Sequence, residues 1–361
     1  MKFVHMADMH FDIPFTVLNS RNKLGDKRRL EQREAFKTII EYIKENNIDY
    51  LFIAGDLYEN EYIRRSTIDY INNLFKEIPN TKIYITPGNH DPYINGSMYK
   101  STNWSDNVKI FTNNIEKVEN EDCNIYGFGF NNFYCRTSDV QDIVLDDKEK
   151  VNILITHGTL NGGTIEDMEY NPMSKSKLSM LGFDYIALGH IHKLDYNTEE
   201  NQKIVYPGSP ISMGFDELGK HGVIVGELTK EKLDLKFMQI DKREFKEEKV
   251  DISDTNNIEE LIEKLNGIEL DDNIFYKIIL TGEKKYEINI NNLFKYINNE
   301  NIIKIKNETK LKLDLESLSR ENSLKGLFVK KVLEELNEEN YDKNTLENVL
   351  EIGLNILDNN K

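Results

Sequence analysis

The stretch Ile85-Thr86-Pro87-Gly88-Asn89-His90-Asp91 decides how the rest of the chain is read. The apolar run from Lys82 to Thr86 predicts a buried strand, and Pro87-Gly88 ends it. Asn89, His90 and Asp91 then stand at its carboxyl end, the edge where open α/β sheets bind ligands. Three consecutive side chains able to ligate a metal or move a proton are costly to bury without a task.

Four other apolar runs end in the same way. Lys2–Met6 leads to Asp8-x-His10, and Asp49–Ala54 to Gly55-Asp56. Val151–Thr156 leads to His157-Gly158, and Tyr185–Leu188 to Gly189-His190-x-His192. Five of the seven histidines lie in these segments, and all of them could converge on one sheet edge. Alone, each segment is weak, since Gly-Asp is common in turns and a single buried histidine is usually a core residue. Together and in order they point to a metal site. Carboxylates and imidazoles with one amide oxygen suit Mn(II), Fe or Zn, and the absence of thiolates disfavours soft metals. Seven ligands with one shared carboxylate suit two ions about 3.5–4 Å apart, an arrangement used to hydrolyse phosphate esters.

The intervening sequence supports an α/β layer. Leu30 to Asn46 predicts a helix with Phe36, Ile39, Ile40 and Ile43 on one face. Arg64 to Lys76 and Ser174 to Leu181 predict two more. Lys203–Tyr206, Gly222–Leu228 and Lys232–Met238 predict strands without helices between them. Beyond residue 240 the texture changes. The charged stretch from Asp241 to Val250 reads as a linker, followed by alternating short helices and strands. Two amphipathic helices follow, at about 324–337 and 346–357. The second carries Leu346, Val349, Leu350, Gly353, Leu354 and Leu357 on one stripe.

Composition bounds the function. A chain of 361 residues with 18 Tyr and 17 Phe has ample apolar material for two or three domains. A formal charge of −17 weighs against a free-standing nucleic-acid binder, although bound cations and a local basic patch change the field at a site. Two cysteines, Cys123 and Cys135, make no framework and fit a reducing compartment. With no signal peptide and no apolar run long enough to span a membrane, the expectation is a soluble, cytoplasmic protein.

The five segments resemble the five signature blocks of the calcineurin-like metallophosphoesterases. Met6-Ala7-Asp8-Met9-His10-Phe11-Asp12, Ala54-Gly55-Asp56-Leu57-Tyr58 and the run from Gly182 to His192 are similar to the DNA-repair exonuclease branch, which holds SbcD and YhaO-like proteins. Tyr206-Pro207-Gly208-Ser209-Pro210 resembles a loop of that branch too. The resemblance is specific over residues 1 to about 240. It is weaker afterwards, where Gly326 to Lys331 and Leu350 to Leu354 look like segments of the YhaO group.

The resemblance implies a four-layer αββα sandwich over residues 1–240. A small α+β cap module would occupy 251–318, and a carboxy-terminal helical segment 321–361. It implies that Asp8, His10, Asp56 and His192 hold one metal. Asp56, Asn89, His157 and His190 would hold the other, with Mn(II) first in expectation and Fe or Zn as alternates. His90 would meet the phosphoryl group or the leaving oxygen, and Asp91 would orient His90 by a hydrogen bond. DNA is the implied substrate, and the implied partner is an ATPase of the SbcC kind, docked on the carboxy-terminal helices. A homodimer is a further expectation, and no membrane partner is expected.

Two other readings share the same residues. One is a phosphatase or phosphodiesterase acting on small substrates such as nucleotides. The other is a DNA-end or ATPase-binding subunit with weak catalysis. One departure bears on the choice. Many SbcD-type nucleases carry, three residues after the bridging Asp, a histidine that approaches the DNA phosphate. Here that position is Glu59, which would repel a phosphodiester unless protonated or turned away, or else is an exposed loop residue. Lys23, Lys27, Arg28, Arg29 and Arg33 form the densest basic cluster, and Arg28 and Arg29 are candidates for backbone contacts.

Overall fold

In a computed structural model the apolar runs become short strands, buried on both faces. Residues 1–18, 23–160, 169–196, 202–311, 315–337 and 343–359 are described. The chain divides into two compact units. Residues 1–248, 269–278 and 299–304 form one, and 249–268, 279–298 and 305–361 the other.

The first unit opens with β1 (Lys2–Met6), α1 (Leu24–Glu45), β2 (Tyr50–Ile53), α2 (Arg65–Lys76) and β3 (Lys82–Ile85). After α3 (Met98–Ser101) come β4 (Val108–Ile110), β5 (Glu116–Glu119), β6 (Cys123–Phe128) and β7 (Val151–His157). Then follow α4 (Lys175–Met180), β8 (Tyr185–Gly189), β9 (Ile204–Val205), β10 (Gly222–Leu228) and β11 (Leu233–Gln239). One sheet has the order β11-β10-β1-β2-β3-β4, parallel from β1 to β4, with β10 antiparallel to β1. The other has the order β5-β6-β7-β8-β9, parallel from β6 to β9.

Alternation along each strand sends side chains to two faces. Phe3, Phe52 and Tyr84 of the first sheet meet Ile125, Ile153, Ile155 and Tyr185 of the second in one core. Val4, Leu51 and Ile53 point the other way, into Phe36, Ile39, Ile40, Ile68, Ile71 and Phe75 of α1 and α2. On the far side Leu154, Ile186 and Leu188 pack on Leu178 of α4. The layers run helix, sheet, sheet, helix, as the family resemblance implied.

Three local expectations are corrected. Helix α1 begins at Leu24 rather than Leu30. Its first turns bury Gly25, Arg28 and Gln32, so the apolar period starts late. Residues 108–128 hold three strands that the sequence did not suggest; β4 and β5 are half-exposed, and β6 carries Asn124 and Gly127 among its buried positions. The stretch read as a linker is mostly β12 (Glu244–Asp251). Its charges face outward, while the buried Phe245 packs between Phe215 and Phe275, with centroids 5.0 and 5.2 Å away.

Beyond β12 the chain forms α5 (Ile258–Asn266), β13 (Ile274–Thr281), β14 (Glu283–Lys284), α6 (Ile290–Leu293), β15 (Ile302–Asn307) and β16 (Lys310–Leu311). These strands make a sheet of order β12-β13-β15 and a parallel pair β14-β16. The last helices are α7 (Leu315–Ser319), α8 (Leu324–Asn337) and α9 (Lys343–Asn359). Val329 and Val332 of α8 pack on Leu350 and Leu354 of α9. Val349, expected on the same stripe, is instead exposed, with Ile352 and Ile356. The side chain of Leu346 lies outside the described residues.

Candidate metal centre

The five candidate segments meet at the carboxyl ends of β1, β2, β3, β7 and β8. These ends belong to two facing sheets, not to one sheet edge. The β1 and β2 loops run side by side, with Asp8 N donating to Gly55 O at 3.0 Å and His10 N to Asp56 O at 2.9 Å. Asp8, His10, Asp56 and His190 all have positive φ, between 49° and 104°. That region is unfavourable for side-chain-bearing residues and persists where surroundings over-determine it, often at functional sites. Glycine is required beneath them. A Cβ on Gly88 would fall 2.2 Å from Asp56 Oδ1, and one on Gly55 (φ +90°) would fall 2.3 Å from His157 Nδ1.

The polar atoms converge. The donor atoms of Asp8, His10 and His192 lie within 4.8 Å of one another. The same holds for Asp8, Asp56 and His157, and for His10, Asp56 and His90. Asp56 Oδ2 lies between two imidazoles, 3.7 Å from His10 Nε2 and 3.2 Å from His157 Nε2. Asn89 Oδ1 is 3.0 Å from His157 Nε2. His190 is tied in through its backbone, which donates to Asp8 at 3.0 Å, and its ring stands edge-on to His157 at 5.2 Å.

The donor set fits divalent cations. Asp8 and Asp56 are fully buried, and their ion-pair partners among the described residues are imidazoles alone. Two buried carboxylates with no lysine or arginine beside them call for cations. The imidazoles are also set for ligation. His10 Nδ1 donates to Glu59 Oε1 at 2.7 Å, His192 Nδ1 to Glu217 Oε1 at 2.8 Å, and His157 Nδ1 to Ala54 O at 2.9 Å. Each bond engages Nδ1 and leaves Nε2 available to a cation.

Electrostatics follow this grouping. Burial would lower His157 and His192, but Asp56 acts on the first and Glu217 on the second, and both are held up at about 9. His190, buried and facing the charge of His157, is pushed down to about 3. Burial pushes Asp8 up, whereas His157 and His10 hold Asp56 well below the carboxylate range despite its burial.

Three expected roles change. Asp91 does not orient His90. Its buried carboxylate accepts from Gly88 N at 2.6 Å, Leu57 N at 2.7 Å, Asp56 N at 3.1 Å and Tyr99 Oη at 2.6 Å. It therefore braces the β3 loop against the β2 loop. Arg28 cannot reach a substrate, because it is 1 % exposed and its guanidinium is paired with Asp241, Glu31 and Ser212 O. Glu59 is neither an exposed loop residue nor aimed at a substrate. It is buried, and its second oxygen accepts from His90 Nδ1 at 3.0 Å. Arg29 keeps an exposed guanidinium beside Asp26, and with Arg33, Tyr62 and Arg64 it lines a cleft of about 390 Å³.

Sequence reasoning missed Glu217 and Tyr99. Nothing marks Glu217 among 63 acidic residues. Its partner Ser209, which donates to Oε2 at 2.9 Å, does lie in a recognisable loop, Tyr206-Pro207-Gly208-Ser209-Pro210.

The sequence profile of the calcineurin-like phosphoesterases matches residues 1–194, more than half of the chain. The chain belongs to the calcineurin-like phosphoesterase family. This metallophosphoesterase is 24% identical over 272 residues to a Bacillus subtilis (strain 168) protein described as uncharacterized metallophosphoesterase YhaO. That match covers 73% of this chain and 66% of the relative, just under two thirds of its length. Among solved structures, a dimetal phosphatase from Danio rerio aligns with 66% of this chain and 96% of its own, at 11% identity and a TM-score of 0.43. A Thermus thermophilus protein aligns with 66% of this chain and 98% of its own, at 8% identity and a TM-score of 0.38. Likenesses this loose carry no weight for substrate or metal.

Proposed function

We propose that this metallophosphoesterase is a DNA phosphodiesterase of the repair-exonuclease type, working with two divalent ions, Mn(II) foremost. The observation that carries the chemistry is the contrast between His90 and its neighbours. Asp8, His10, Asp56 and His157 are buried, while the His90 side chain is 45% exposed at the edge of the same cluster. Burial would lower its pKa, but Glu59 and Asp56 outweigh that and hold it up at about 9. An exposed imidazole whose Nδ1 is taken by Glu59 presents Nε2 to a phosphoryl oxygen or a leaving alkoxide.

Asp8, His10, Asp56 and His192 would hold one ion, and Asp56, Asn89, His157 and His190 the other. Divalent cations, when bound, supply activation of water and neutralise charge on the phosphoryl group. The chain's own residues do the rest. His90 keeps its Nδ1 proton on Glu59 and gives its Nε2 proton to the leaving oxygen. The water oxygen becomes bonded to phosphorus as the P–O ester bond breaks, one water proton passes to solvent, from which His90 is reprotonated, and an alcohol and a phosphate monoester are left. Asp91 holds the Asn89-His90 turn against Asp56 throughout.

DNA as substrate draws support from the resemblance to the exonuclease branch and from the cleft lined by Arg29, Arg33 and Arg64. Arg29 and Arg33 of α1 and Arg64 just before α2 line it, with Asp26 paired to Arg29 and Asp12 to Arg33 at 3.6 Å, so Arg64 carries most of the uncompensated positive charge offered to a phosphate backbone. The exposed row Val349, Ile352 and Ile356 on α9 supports docking of an SbcC-like ATPase. Deleting residues 321–361 should release such a partner in co-purification, and retention would refute the docking.

The test of substrate is turnover with Mn(II) of linear duplex DNA, single-stranded DNA and a chromogenic phosphodiester. Cleavage of DNA is expected. Turnover of the small ester alone would overturn the DNA reading in favour of a small-molecule phosphodiesterase.

A further inference from the structure

The loop after β6 supplies no candidate ligand, yet it packs against two of the loops that do. Phe130 N donates to Pro87 O at 2.9 Å, and Tyr93 N to Phe130 O at 2.7 Å, so the loop is laced to both flanks of Asn89-His90. The buried Phe130 ring stands edge-on to His157, 5.7 Å away. Farther on, Cys135 N donates to Glu169 O at 2.8 Å and Asn171 N to Cys135 O at 2.5 Å, which ties the loop to the segment before α4.

These bonds set aromatic rings in a row. Tyr170 lies against the ring of His190, with 4.9 Å between centroids and a tilt of 41°. Tyr134 stacks on Tyr170 at 6.1 Å and 26°. The Arg136 guanidinium carbon stands 5.7 Å from the Tyr134 centroid. The row starts at a candidate metal ligand and ends at the surface, where Tyr134 is 51% exposed and its neighbour Phe133 39%. Arg136 Nη2 is paired with Glu169 Oε1 at 2.8 Å, so the outer end offers an aromatic face rather than net charge. That suits a nucleobase and not a phosphate.

We propose that Tyr134 is the stacking platform for an unpaired nucleobase of the substrate, whose phosphoryl group lies at the metal centre. Inside a duplex each base is already stacked on its neighbours, so the ligand is a nucleotide in a single strand or at a frayed end. Every base has a π-face, so the platform reads the presence of a base and not its identity. It separates nucleotide esters from esters without a base, and single strands from blunt duplex. This inference rests on the phosphodiesterase chemistry proposed above for the centre and names the part of the substrate beside the ester. It holds for a DNA strand and for a single nucleotide alike.

Two measurements on the full chain test it. The first is photocrosslinking, with Ca(II) in place of Mn(II), of an oligothymidylate that carries one 5-iododeoxyuridine, with the attached peptide mapped by mass spectrometry. The adduct is expected on the peptide that bears Tyr134, kept in Tyr134→Phe and lost in Tyr134→Ala. Adducts confined to other peptides would overturn the platform.

The second is kinetics on p-nitrophenyl thymidine 5′-phosphate and methyl p-nitrophenyl phosphate, which share a leaving group and differ in the base. Tyr134→Ala should raise KM for the thymidine ester by about 5- to 100-fold with kcat nearly unchanged. It should leave the methyl ester as in wild type, and Tyr134→Phe should restore the thymidine ester. An equal loss on both esters would mark Tyr134 as structural, and no loss on either would leave it without a role; both outcomes overturn the proposal. If the thymidine ester is turned over and DNA is not, the DNA reading fails while the platform stands. If neither ester is turned over, the phosphodiesterase reading fails and the crosslink alone decides the platform.

Discussion

His10 Nε2 and His192 Nε2 face each other across 3.1 Å, and each ring is held from behind by a buried carboxylate, Glu59 for one and Glu217 for the other. Two imidazoles from opposite ends of the domain sequence thus present the same nitrogen to the same point.

The Glu217 side of this pair can be tested alone. Glu217→Gln removes a charged acceptor from His192 and should weaken one ion by about 10- to 100-fold while the second stays bound. Metal counting after desalting should fall from two ions toward one. Two ions retained at full affinity would show that Glu217 does not orient a ligand.

Gly88→Ala should remove metal without touching a ligand. The added methyl would fall 2.2 Å from Asp56 Oδ1, so the shared carboxylate or the β3 loop must move. Loss of at least one ion and of about 100-fold or more in turnover is expected, by analogy with small displacements of catalytic groups. Wild-type metal content would mean that the loop gives way without cost.

Arg28 supplies a prediction of the opposite kind. It joins α1 to Asp241, just beyond β11, through a pair that is buried on both sides. Arg28→Ala leaves the Asp241 charge buried, although Ser212 N and Arg243 N still donate to it at 2.8 and 2.9 Å. A loss of about 3–5 kcal/mol in urea unfolding is expected, with kcat unchanged in the folded fraction. A variant of wild-type stability with reduced DNA binding would restore the substrate-contact role.

Stability without metal should depend on pH. His90, His157 and His192 are each held up at about 9 against an ordinary 6.5. A raised imidazole contributes stability in full below about 6.5, and that contribution is lost as pH rises through 9. His5 and His190, pushed down to about 3 chiefly by burial, act the other way and cost stability as pH falls below 6.5. The Tm of chelator-treated protein should peak near pH 6.5 and fall toward pH 9. A Tm that is level or rising over that range would contradict the assignment.

What the sequence revealed, and what it did not, has a physical pattern. Strands β1, β2, β3, β7 and β8 were legible because burial on both faces makes them unbroken apolar runs, each closed by a ligand segment. Strand β6 hid because Asn124 lies within it, satisfied across the sheet by Asn152 at 3.1 Å. Strand β12 hid because its outward charges outnumber Phe245 and Val250. The candidate ligand residues stood out by type and spacing. Their supports did not. Glu59 is 49 residues from His10 and 31 from His90, and Asp91 binds the backbone at Asp56 and Leu57 rather than its sequence neighbour. Only the folded loops bring such partners together.

The central claim is a two-ion centre bridged by Asp56. Anomalous diffraction from crystals grown with Mn(II) tests it most directly. Two peaks flanking Asp56 Oδ2 are predicted, one beside His10 and His192 and the other beside His157 and Asn89. A single peak, or two peaks that do not share Asp56, would contradict it.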